Sequence, residues 1–176
     1  MRERTIREAL AYRRETLQLM LTVVSRDIVR ATPLAGRERR FVIGLAGDRT
    51  TLLSMDGERI GLRVAEYVTS EPQYLEARNS PPLALVGYMY SLHRSRDDAE
   101  LLAFHHHPHV LDRSLPHVHP GPALGTLPVF AGVHIPTGHV ALEDVLSMVI
   151  DDFGVRPRRA DWRVVLATTR RTVIGS

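Results

Sequence analysis

The chain contains no cysteine and no lysine. The first absence excludes disulfides, iron–sulfur clusters, thiol nucleophiles and cysteine-built zinc sites. The second removes Schiff-base chemistry and the phosphate-loop lysine, because all 23 basic residues are arginine. A GC-rich bacterial genome is the plain cause of that bias. No segment approaches the roughly 20 apolar residues of a membrane span. Met1 is followed by alternating charges rather than by an apolar signal stretch. The expectation is a bacterial cytoplasmic protein with no membrane partner.

What is present is an ordinary globular composition. The 176 residues are 44% apolar and 24% charged, which suits one domain with a real core. The net charge of +3 is unevenly spread. Residues 1–40 hold ten arginines against five acids, and residues 156–176 hold six against one. Between them, residues 41–155 hold seven arginines against fourteen acids. Termini that fold together would make a basic face for nucleic acid or an acidic partner. A merely solvated surface in an arginine-rich protein is the plainer alternative.

The apolar spacing predicts an α+β domain. Ile6, Leu10, Leu17, Leu21, Val24 and Ile28 recur at helical steps, which predicts a helix over about 3–30, ended by Thr32-Pro33. Phe41–Leu45 and Thr51–Met55 around Gly47-Asp48 predict a hairpin, with a second tight turn at Asp56-Gly57. Ile60, Leu62, Val64 and Tyr67 follow as a third strand. Residues 83–107 predict a hairpin turning at Arg94–Asp98. Val140–Phe153 predicts an amphipathic helix stopped by Gly154. Trp162–Thr169 predicts a closing strand. The expected architecture is therefore one domain with an antiparallel sheet and histidine segment that together span about 41–135, and an N-terminal and a C-terminal helix packed on the sheet.

Eight of the nine histidines fall in residues 105–139. His105 and His107 are two apart on a predicted strand, so they share a face, and His106 takes the other. His117 and His119 repeat that step. A loop over Pro108–Pro116 that returns the second pair beside the first would bring four imidazoles together, with cross-strand Cβ atoms about 5 Å apart. Two chemistries fit. In one, His105, His107, His117 and His119 bind a divalent metal, zinc before nickel, copper, manganese or iron, with Asp112 or His134 completing the shell. Three protein ligands and an open position would make that site hydrolytic. In the other, no cofactor is bound. One histidine takes a ribose 2′-hydroxyl proton and a protonated one serves the leaving oxygen. Arg113, or a terminal arginine brought close by the fold, would steady the phosphorane, with help from Tyr88 and Tyr90. His93, His106 and His109 read as ordinary surface or packing residues. In His134-Ile135-Pro136-Thr137-Gly138, the Thr137 hydroxyl would cap the next helix, and His134 would sit beside its phosphate-attracting N-terminus.

Val86-Gly87-Tyr88-Met89-Tyr90, Phe104-His105-His106-His107-Pro108, Pro116-His117-Val118-His119 and His134-Ile135-Pro136-Thr137-Gly138 together resemble a group of small bacterial proteins. Leu142-Glu143-Asp144-Val145 and Trp162 follow in the same order. That group is similar to the TumE-like toxins of toxin–antitoxin pairs. The resemblance covers under half of the chain, from Leu85 to Trp162. It implies a ribonuclease with an RNA substrate and an antitoxin protein as partner. His105, His107, His117, His119 and His134 would then be catalytic. Two other classes stand beside it: a metal-dependent hydrolase or oxygenase using the same histidines, and a non-enzymatic interaction or regulatory module. A homodimer is compatible with all three.

Overall fold

The computed structural model describes residues 2–35, 37–54, 56–75, 82–107, 115–125 and 133–174. The chain runs α1 (Arg2–Leu21), β1 (Val29–Leu34), β2 (Arg37–Leu45), β3 (Thr50–Leu53), β4 (Arg59–Thr69), β5 (Ala84–Arg94), β6 (Ala99–His106), β7 (His117–Pro120), β8 (Ile135–Pro136), α2 (Leu142–Asp151) and α3 (Trp162–Ile174). All eight strands join one antiparallel sheet in the order β1-β2-β4-β5-β6-β7-β8, with β3 also on β4. This is a single α+β domain. No described helix is long and apolar enough to cross a membrane.

The helices cover one face of the sheet. Leu17, Met20 and Leu21 of α1 and Leu142, Val145, Leu146 and Val149 of α2 meet Leu62, Val64, Tyr88, Tyr90 and Leu92 of the sheet in one core. Apolar steps of three and four residues give each helix one inward stripe, and period-two alternation gives each strand one inward face. Two hydroxyls in this core are tied. Tyr90 donates to the Glu66 carboxylate at 2.8 Å. Tyr88 Oη accepts the Val140 amide at 3.0 Å, which docks the entry of α2.

Three expectations are corrected. The first helix ends at Leu21, not near residue 30, and Thr32-Pro33 lies inside β1. Gln18 folds the chain back there: its Oε1 accepts the Val29 amide and its Nε2 donates to the Asp27 carbonyl. The predicted hairpin of β2 and β3 does not form. Both pair with β4, which is long enough to take β3 on residues 59–62 and β2 on residues 65–69. Asp48, at φ 66°, turns the chain from one to the other. Finally, Trp162–Thr169 is not a strand but the start of α3. Trp162, Val165, Leu166 and Thr169 are its buried residues. Their steps of three, one and three make a helical stripe that outweighs the β-branched propensity of Val164 and Val165. The β3–β4 turn at Asp56-Gly57, the β5–β6 hairpin and the left-handed stop at Gly154 (φ 64°) follow the sequence.

Candidate metal centre

The far end of the sheet places the histidines. β6 and β7 pair antiparallel, with His105 opposite His117 and Ala103 opposite His119. β8 then adds to β7 with Pro136 opposite His117, and His134 precedes it. Directly opposed residues share a face, so His105, His117 and His119 all project to the side without helices. The ring centroids of His105 lie 5.8 Å from His117, 4.9 Å from His119 and 5.1 Å from His107. His134 lies 4.7 Å from His117 and 5.4 Å from His119. The five imidazoles therefore form one cluster on β6, β7 and the segments flanking them.

A carboxylate joins them that spacing alone misses. Counting in twos from His105 gives Ala103, Leu101 and Ala99, and leaves Glu100 on the opposite face. The β5–β6 register shifts between Leu92 and His93, so that His93 opposes Glu100 while Leu92 opposes Leu102. That bulge at Leu101 moves Glu100 onto the histidine face. Its Oε1 lies 3.1 Å from His119 Nδ1. One ligand atom each from Glu100, His105 and His119 falls within 4.8 Å of the other two. Gly121 permits this closeness: its amide donates to the Leu101 carbonyl at 2.8 Å, and a Cβ there would collide with the Glu100 carbonyl.

The hydrogen bonds orient the rings. The His117 Nδ1–H donates to the Leu115 carbonyl at 2.9 Å, which leaves Nε2 as its lone-pair nitrogen. His105 Nδ1 and His107 Nε2 are 3.3 Å apart. His105 Nε2 is buried and has no hydrogen-bond partner among the described residues. Burial, reinforced by His119, His107, His117 and His134, pushes the His105 pKa down to about 3, so this ring is neutral at physiological pH. Burial, with His117 and His106, also lowers the pKa of His107.

Other candidates lie elsewhere. Tyr88 and Tyr90 are in the core on the opposite face, so they are not brought to the cluster. His93 is buried among Arg63, Ser91 and the Asp98 carbonyl. His106 and His139 pack against Tyr88. Thr137 does not cap α2: that helix starts after Ala141, whose amide reaches Asp144 at 3.4 Å. Instead the Thr137 amide donates to the Pro116 carbonyl, which fixes His134 at the sheet edge. Arg113, Asp112 and His109 lie outside the described residues. Among the described residues, no arginine forms an ion pair or hydrogen bond with the cluster. Comparison with family models, curated proteins and solved structures finds no match for the chain.

Proposed function

We propose that Glu100, His105 and His119 hold one divalent metal ion, zinc by the chemistry of the donors, and that the protein is a metal-dependent hydrolase. The observations that carry this reading are the buried, partnerless Nε2 of His105 and the grouping of a His105 ligand atom within 4.8 Å of one from a second imidazole and one from a carboxylate. Two histidines and one carboxylate are a common catalytic zinc set and leave positions open. The same set serves non-haem iron, so the ion's identity decides between hydrolase and oxygenase.

When bound, such an ion supplies Lewis acidity toward a carbonyl or phosphoryl oxygen. The chain's own groups do the rest. The contact between His105 Nδ1 and His107 Nε2 orients the His105 ring. Glu100 orients His119 through Nδ1. His117, held through Leu115, is the ring that takes a proton from an attacking water. The metal-free ribonuclease reading needs a protonated imidazole and a cation for the phosphorane. His105 is held neutral, and the arginine-rich α1 packs on the opposite face.

Elemental analysis of untagged protein tests the proposal. Near-stoichiometric zinc is expected in the wild type, with loss in His119→Ala and a marked fall in Glu100→Gln. Metal-free wild type that shows no thermal shift with added zinc, manganese, iron or nickel overturns it. RNA cleavage that persists in excess chelator would then favour the toxin-like ribonuclease, and with it an antitoxin partner.

A further inference from the structure

The histidine cluster is one end of a straight row. On the helix-free face, successive pairings run Arg30–Gly44–Ala65–Met89–His105–His117 across β1, β2, β4, β5, β6 and β7. Gly44 and Ala65 are small, so the middle of the row is low. A cleft of about 340 Å³ lies over it, running from Arg30 to Met89, the residue opposite His105. Val42, Ala65, Met89 and Pro33 give it apolar surface, and Arg30, Thr32, Asp48 and Arg63 give it about as much polar surface. Of its two arginines, Arg63 is neutralised by Asp48 and Asp98. Arg30 is exposed and makes no ion pair among the described residues. The glycine is required by the curl of the sheet, because a Cβ at Gly44 would collide with the Val64 carbonyl.

A trough with an apolar floor along Val42, Ala65 and Met89 and one unpaired cation at one end fits an elongated molecule with an apolar body and one anionic end. Four strand spacings separate Arg30 from His105, about 19 Å along the sheet. We infer that this cleft binds a medium- or long-chain carboxylate. The anion rests on Arg30 and the chain lies over Ala65 and Met89 with its far end at the histidines. The substrate class this gives the metal centre is such an acid that carries a second carboxyl, bound as an ester or amide, at its far end beside the histidines, and that last step rests on the hydrolase reading. Hydrolysis there would add water across the acyl bond, releasing the acid and an alcohol or amine. No other reactant is needed.

Binding is measured in chelator-treated protein, so that its result does not depend on the metal. The probes are decanoate and its neutral counterpart decanamide, titrated calorimetrically. Decanoate is expected to bind more tightly than decanamide. Arg30→Gln, an exposed change, should weaken decanoate about tenfold and leave decanamide unchanged, as expected for loss of one charge-assisted hydrogen bond. Ala65→Phe should fill the trough and weaken both. Equal binding of the two probes, or no response to Arg30→Gln, overturns the anion anchor. No binding of either probe overturns the cleft as a ligand site. Zinc content measured on the same variants before chelation should stay at the wild-type level, which separates failure of this inference from failure of the metal proposal.

Discussion

On its helix-covered face the sheet buries an ion pair, and on its open face it half-buries a neutral imidazole, His105. Glu66 is fully buried, yet it receives Arg13 Nε at 2.7 Å, the second Arg13 nitrogen at 2.5 Å and the Tyr90 hydroxyl at 2.8 Å. The Glu66 carboxylate keeps Arg13 charged despite the burial of that guanidinium. Both oxygens of the Glu66 carboxylate are answered from inside the fold. Across the sheet, His105 Nε2 is buried and unanswered among the described residues. An unpaired buried polar atom costs free energy. A fold that can satisfy Glu66 three times over leaves one nitrogen bare beside a carboxylate and four more imidazoles. The Glu66 site uses its polar groups to hold the fold together, and the His105 site keeps one for something that arrives from outside.

The comparison breaks first on the covered side. Arg13→Ala strands a buried carboxylate, which should cost about 3–5 kcal/mol. Urea denaturation reads that loss. Arg13→Met and Glu66→Met combined with Tyr90→Phe, which removes the hydroxyl that Glu66 accepts, should recover most of it, since an apolar cluster of similar volume needs no desolvation. Zinc stoichiometry of the folded fraction should be unaffected, because the pair lies across the sheet from Glu100, His105 and His119. Loss of metal in these variants would show that the two faces are not independent.

The open side breaks through Gly121. A methyl there pushes on the Glu100 backbone, so Gly121→Ala should shift the carboxylate away from His119. Metal affinity is expected to fall about 10–100-fold, as when a positioning group around a metal is lost. Competition against a chromophoric chelator measures it. Unchanged affinity with reduced stability would reduce Gly121 to a packing residue.

The sequence makes one of these faces readable and hides half of the other. The two-residue steps His105/His107 and His117/His119 foretell a shared face, because alternation is a property of any strand. The return of β7 beside β6 follows from prolines that leave room only for short extended pieces. Glu100 is hidden because a bulge inverts the alternation, and nothing local to Leu101 announces it. Arg30 is hidden for a different reason: the helical spacing that is real up to Leu21 continues by coincidence through Val24 and Ile28. The choice of β4 over β2 as partner for β3 is a long-range decision, made by the length of β4. In α3, Trp162, Val165, Leu166 and Thr169 carry the helical period, but the Val164-Val165 pair masks it in so short a window. The core tyrosines show the converse limit. Tyr88 and Tyr90 share a strand with Met89 yet face away from it, so sequence proximity to the histidines says nothing about access to them.

The smallest expected effect tests whether the open face is built for neutral rings. The His105 pKa is about 3 in the folded protein, against about 6.5 unfolded. Between those values the unfolded chain binds the proton and the folded chain does not. Stability contributed by this group is therefore complete above about pH 6.5 and declines as pH falls toward 3. His105 is only partly buried, so water screens the effect below its full size. Urea midpoints of metal-free protein at pH 7 and pH 5 should show a drop for the wild type and a smaller drop for His105→Asn. The difference between the two drops isolates His105 from groups common to both proteins. Parallel drops would mean that the ring is as easily protonated folded as unfolded. The open face would then be a solvated histidine patch, and the contrast with Glu66 would lose its meaning.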